Sequence, residues 1–162
     1  MNKLLYFAYG SNLHPLWLCS RTPSAEVLGT ERLPNFSLQF NKHGLDDSGK
    51  CNIVSSSVDS DVVYGVVYAF SSHEKEVLDV AERGYEQEYI QIGNYDKVLI
   101  YIAADTVEGY TSPHSWYRDI VIAGAEYHQF PEEYIDYIKS FSTIDDPDQE
   151  RELKFRNIVW PS

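Results

Sequence analysis

Residues 61–70, DVVYGVVYAF, form the densest run of β-forming side chains in the chain. Val and Tyr suit a pleated surface buried on at least one face, so the segment reads as a strand. Gly65 interrupts it and marks a bulge or a point where another backbone comes close. Directly after it, Ser71-Ser72 offers an N-cap, and Glu74 to Ala81 sets Val77, Leu78 and Ala81 at helical spacing. Gly84 ends that helix. A strong strand feeding a short helix is therefore the centre of the fold.

Working outward, Lys3 to Tyr9 is an apolar run that stops at Gly10-Ser11-Asn12, a strand entering a turn. His14 to Ser20 reads as a short helix with Pro15 in its first turn. Pro23 and Gly29 punctuate a connection. Asn35 to Phe40 alternates Phe36, Leu38 and Phe40 on one face, and Cys51 to Ser55 is a further strand. The polar stretch Asn41 to Lys50 between them reads as a hairpin loop or mobile connection. Downstream, Tyr89 to Ile92 and Lys97 to Ala103 are strands joined by a turn at Gly93-Asn94. Ser112-Pro113 opens a helical region with Trp116, Ile120, Val121 and Ala123 on one face up to Gly124. Pro131 opens another, carrying Tyr134, Ile135, Ile138 and Phe141. Strands fill the first two-thirds and helices the last third, an order that argues α+β rather than repeated βαβ units.

The chain has 162 residues, the size of one domain, with no internal repeat and no separating linker. Its formal net charge is −12, from 25 acidic and 13 basic residues, which disfavours a nucleic-acid partner. No stretch approaches the roughly 20 apolar residues of a membrane helix, and the N-terminus lacks a signal-peptide pattern. Cys19 and Cys51 cannot build a disulfide framework, and reduced thiols are the simple reading. The five histidines lack metal-site spacing, so neither a metal nor a cofactor is expected. Together these features point to a soluble, cytoplasmic protein. The tail from Asp145 to Glu152 reads as a solvated surface or a helix with i,i+4 ion pairs.

The chemistry concentrates at Tyr6–Leu13, YFAYGSNL. A strand ending in Gly-Ser-Asn presents successive backbone N–H groups, and such a nest holds carboxylate or phosphate oxygens. Glycine there leaves room for close ligand approach. On composition alone, a capped strand–helix turn without a ligand is the simpler account of the segment, since such turns are common.

YFAYGSNL closely resembles the opening motif of the γ-glutamyl cyclotransferase-like superfamily, which includes the AIG2-like avirulence-induced proteins of plants. The pattern Leu78-Asp79-Val80-Ala81-Glu82 is similar to the segment carrying that family's catalytic glutamate, and Tyr89 stands where a tyrosine follows it. Farther on, Tyr117, Gly124, Ala125, Pro131 and Tyr134 match the Tyr, Gly-Ala, Pro and Tyr of the classical enzymes. The resemblance runs from about Tyr6 to Phe141, leaving the tail 145–162 outside. One departure is local: Arg83 stands where the family commonly has glycine directly after the glutamate. A guanidinium turned inward there would lower the pKa of Glu82.

The resemblance implies an α+β fold built on a small, mostly antiparallel β-barrel flanked by helices. It implies a catalytic Glu82 and a substrate site formed by Tyr6, Phe7, Ala8, Tyr9, Gly10, Ser11, Asn12, Leu13, Tyr89 and Tyr117. Its reaction is cyclisation of a γ-glutamyl compound to 5-oxoproline with release of an amino acid or amine, so the expected partner is a small γ-glutamyl substrate. A homodimer is compatible with the resemblance. The competing reading is a non-catalytic ligand-binding or regulatory protein on the same fold.

Overall fold

The computed structural model describes residues 2–162. Strand β1 (Lys3–Ala8) runs into a 3-10 turn at Ser11–Leu13 and a short helix α1 (Pro15–Cys19). Strands β2 (Glu26–Pro34), β3 (Phe36–His43), β4 (Gly49–Ser55) and β5 (Val62–Ser71) follow. A 3-10 turn at Ser72–Glu74 leads into α2 (Lys75–Ala81), and then come β6 (Tyr85–Ile92) and β7 (Tyr95–Ala103). Helices α3 (Ser115–Tyr127), α4 (Glu132–Lys139) and α5 (Gln149–Val159) complete the chain. Among the described residues no helix is long and apolar enough to cross a membrane.

Five strands form one sheet in the order β2-β5-β1-β7-β6, and β3 and β4 form a separate ribbon. All pairings are antiparallel except β1 with β7, where Leu5 lies opposite Val98 and Tyr6 opposite Leu99. The α+β class stands. The expected closed barrel does not form, because β2 and β6 remain the two edges of the sheet. The reason lies at Asn35. The β2–β5 ladder runs out at Pro34 opposite Val62, and Asn35 then adopts a left-handed φ of 67°. That turn directs the chain away from the sheet, so β3 pairs with β4 instead of closing a cylinder.

β5 earns its central reading. Val66, Val67, Tyr68, Ala69 and Phe70 are consecutive and all buried, which requires cover on both faces. Gly65 is a close approach, not a bulge: a Cβ there would lie 2.3 Å from the Phe7 ring and 2.5 Å from the Ala8 carbonyl oxygen. The irregularity in this ladder sits instead in β2, between Val27 and Gly29. β2 itself was unexpected from the sequence. Its burial alternates between exposed and intermediate along a charged edge strand, so it carries little apolar signal. The stretch expected as a hairpin loop or mobile connection, Asn41 to Lys50, is half strand, and a loop over residues 44–48 joins β3 to β4.

The helices pack to hold the loop after β1. α3 continues past Gly124 to Tyr127, since that glycine serves contact rather than termination. A Cβ on Gly124 would stand 2.6 Å from Leu13 Cβ and 2.8 Å from the His14 amide nitrogen. Tyr68 and His128 both hydrogen-bond the Leu13 carbonyl, at 2.9 Å and 2.7 Å. Gly124→Ala should therefore push the Ser11–Leu13 turn off α3 and cost about 1–3 kcal/mol. Chemical denaturation checks this, and a variant as stable as the parent contradicts it. The charged tail is a helix with one of the anticipated i,i+4 pairs, Glu152–Arg156 at 2.7 Å. It also packs: Phe155 meets Trp116 at 4.8 Å and Trp17 at 5.4 Å between ring centres.

Candidate active site

The end of β1, the C-terminus of α2 and the start of β4 converge on a cavity with about 290 Å³ of empty space. Tyr6, Tyr9, Gly10, Ser11 and Asn12 line it together with Glu82 and Tyr85. Cys51, Tyr101 and Tyr117 complete the lining.

Glu82 occupies the C-cap of α2, where φ −97° and ψ 30° turn the chain out of the helix. Its carboxyl points into the cavity and accepts a hydrogen bond from Asn12 Nδ2 at 2.9 Å. The same amide nitrogen donates to Tyr6 Oη at 2.9 Å, and Asn12 Oδ1 accepts from Arg21 at 3.4 Å. Both ends of the buried Asn12 side chain are thus fixed, and its orientation is set by the cation on one side and the carboxylate on the other. Burial raises the pKa of Glu82 above the ordinary glutamate value of 4.5, while Arg21, Asn12 and Lys42 pull it back down. The result is a carboxylate that holds its proton more readily than a surface glutamate.

The tyrosines are neutral donors and acceptors. Burial pushes Tyr6, Tyr9, Tyr85 and Tyr117 well above the usual phenol range. Tyr9 donates to the Tyr101 carbonyl at 2.5 Å, Tyr85 donates to the Cys51 carbonyl at 2.6 Å, and Tyr117 Oη accepts from the Cys51 N–H at 3.0 Å. The Cys51 thiol is pushed up to about 12 by burial, so it stays protonated and is a poor nucleophile. A Cβ on Gly10 would lie 2.9 Å from Cys51 Cβ, which explains why the loop needs glycine at this contact. In the 3-10 turn, Leu13 N–H bonds the Gly10 carbonyl and His14 N–H bonds that of Ser11. The amides of the turn's leading residues have no acceptor within it, as at the start of any helical turn.

Several expected site residues lie elsewhere. Phe7, Ala8 and Leu13 are fully buried in the core and do not line the cavity. Alternation along β1 turns Phe7 away from the face that carries Tyr6. Tyr89 is 48 % exposed on the edge strand β6, next to Lys97, and is absent from the cavity. Four residues along a strand is roughly 13 Å, so Tyr85, not Tyr89, follows Glu82 into the site. Arg83 is exposed and offers only its carbonyl to Lys42, at 3.1 Å. The guanidinium that acts on Glu82 is Arg21, which the sequence did not single out, because nothing local links positions 21 and 82.

A wider groove of about 1010 Å³ adjoins the cavity and shares Ser11, Glu82, Tyr85 and Tyr117 with it. Its outer walls are aromatic, from Trp17, Trp116 and Phe155, and cationic, from Arg21, Lys42 and Arg83. The site is thus an inner chamber opening into an outer vestibule across the Glu82 carboxyl.

Residues 62–138, from β5 to α4, match the AIG2-like family. The human protein named γ-glutamylcyclotransferase is 32 % identical, the match covering 88 % of this chain and 81 % of that protein. This chain belongs to the γ-glutamylcyclotransferase family. The mouse protein of the same name is also 32 % identical, over 84 % of this chain and 77 % of its own. A solved γ-glutamyl cyclotransferase superposes on the chain with a TM-score of 0.82 at 25 % identity, covering 96 % of this chain and 99 % of that one. The superposition thus spans nearly the full length of both chains.

Proposed function

We propose that this single-domain protein cyclises a γ-glutamyl amino acid, releasing 5-oxoproline and the free amino acid, with Glu82 as general acid and base. The observation that carries the reading is the Glu82 carboxyl, held at 2.9 Å by the fixed Asn12 amide in a cavity that Gly10 and Ser11 also line. The names of the relatives support the same reading.

The substrate supplies its own nucleophile. Its α-ammonium gives a proton to the Glu82 carboxylate, and the free amine attacks the γ-carbonyl carbon. Negative charge gathers on the carbonyl oxygen, which the amides of the Gly10–Asn12 turn would face as donors. The amide C–N bond then breaks as Glu82 returns the proton to the departing nitrogen, and the regenerated carboxylate takes the remaining extra proton from the ring nitrogen, leaving the neutral ring amide of 5-oxoproline. No atom of the enzyme is consumed, and one carboxyl serves every transfer. Well-oriented intramolecular reactions reach effective molarities on the order of 10⁵ M or more, so curling the substrate in a tight chamber supplies much of the acceleration. The raised pKa of Glu82 brings the base nearer to working pH, which improves proton transfer.

The test is incubation of purified protein with γ-glutamyl-alanine and other γ-glutamyl amino acids. Equal amounts of 5-oxoproline and free amino acid are expected, and hydrolysis to free glutamate contradicts the mechanism. Arg21 provides a second test. Its charge favours the ionised carboxyl, so Arg21→Gln should raise the pKa of Glu82 further. The acid limb of the kcat/KM profile then moves to higher pH, with the greatest loss of activity below neutrality. An unmoved limb would remove Arg21 from this role.

A further inference from the structure

We infer that the outer vestibule is the leaving-group site and selects γ-glutamyl compounds whose released half carries two negative charges, such as an acidic amino acid or short acidic peptide. The inference rests on the cyclotransferase reading and adds the substrate class to it.

The charge pattern carries the argument. The chain holds 25 acidic and 13 basic residues, so a basic side chain has an excess of carboxylates to choose from. The vestibule nevertheless gathers Arg21, Lys42 and Arg83, and none of the three forms an ion pair with a carboxylate among the described residues. Arg21 and Lys42 favour the ionised Glu82 without forming an ion pair with it, and their direct contacts are with neutral groups. Arg21 lies over the Trp17 ring at 4.8 Å and reaches the neutral Asn12 amide. Lys42 donates to the Arg83 carbonyl at 3.1 Å and sits 5.0 Å from the Tyr85 ring. Two acids line the same space. Asp46 is bound by Lys50 at 2.9 Å and by Ser48, so it does not neutralise the three cations. Glu82 lies at the inner end, where a bound substrate's ammonium offsets it.

A substrate threaded from the inner chamber past Glu82 must send its released half into this vestibule, because the chamber's other walls are closed by buried tyrosines. An amide-linked amino acid carries one carboxylate, which answers one cation. A second carboxylate answers another. The vestibule is the larger of the two spaces and gives room for the longer group. Cationic leaving groups meet three like charges and are disfavoured.

The experiment measures kcat/KM for 5-oxoproline release from γ-glutamyl-glutamate, γ-glutamyl-glutamine and γ-glutamyl-lysine, with γ-glutamyl-alanine as reference. Glutamate and glutamine are nearly isosteric, so their ratio isolates charge. The expected order is glutamate, then glutamine, then lysine, with glutamate over glutamine by about two- to fivefold, carried in KM, as surface cations allow. Salt at about 0.5 M should compress the ratio toward one. Arg83→Gln and Lys42→Gln should each lower it, and because the ratio compares two substrates on one variant, a general loss of rate cancels. Turnover of γ-glutamyl-alanine with a glutamate-to-glutamine ratio at or below one overturns the inference alone. Absence of 5-oxoproline from every substrate overturns the cyclotransferase reading and this inference with it.

Discussion

Glu82→Gln should reduce 5-oxoproline release by at least about 10²–10⁴-fold, the usual contribution of one positioned proton-transfer group. The amide is nearly isosteric and can still meet Asn12, so binding should survive while kcat collapses. A structural control follows from the same carboxyl. Burial raises its folded-state pKa above 4.5, so the folded protein binds this proton more tightly than the unfolded chain does. Stability is then lost as pH rises from 4.5 through the folded value. Gln carries no such charge. The variant should match the parent near pH 4 and be at least as stable near pH 8, as thermal unfolding at the two pH values would read. An inactive variant that is also less stable at pH 8 would point to a structural role instead.

Gly65→Ala should be the most damaging small substitution in the sheet. The new methyl meets the Phe7 ring at 2.3 Å and the Ala8 carbonyl at 2.5 Å. The ring could tilt, but the carbonyl belongs to the backbone of β1 and cannot yield without breaking the pairing that aims Tyr9 and Gly10 at the cavity. A cost of about 3 kcal/mol or more is expected, a large share of the roughly 5–15 kcal/mol that holds a domain folded. Gly29→Ala in β2 is the comparison. Its methyl would meet only the Tyr95 hydroxyl, at 3.5 Å, so it should change stability little. Denaturant midpoints for the two variants test the contrast, and equal midpoints would contradict it.

What the sequence carried clearly was the part dominated by apolar density and by short, chemically special motifs. β1 and β5 are buried on both faces, so their side chains announce them. Glu82, Tyr6, Tyr9, Gly10, Ser11, Asn12 and Tyr117 stand in motifs that keep their meaning out of context, and all of them line the cavity. The failures have a common cause: they depend on neighbours distant in the chain. β2 is an exposed edge that exists because β5 offers it a ladder. The sheet stays open because Asn35 takes a left-handed turn that no composition rule requires. Tyr85 and Tyr89 are equally tyrosines after a glutamate, and only the reach of β6 decides which one enters. Arg21 acts on Glu82 across 61 positions through Asn12, and Phe155 of the tail walls the vestibule from the far end of the chain.

The most direct test of the central claim is a crystal structure of Glu82→Gln with γ-glutamyl-alanine bound, the substrate being trapped by the lost proton transfer. The account predicts the γ-glutamyl group inside the chamber, its α-nitrogen against residue 82, its oxygens against the Gly10–Asn12 amides and its alanine in the vestibule. A γ-glutamyl group bound in the vestibule or elsewhere on the surface, with the chamber untouched, would contradict it.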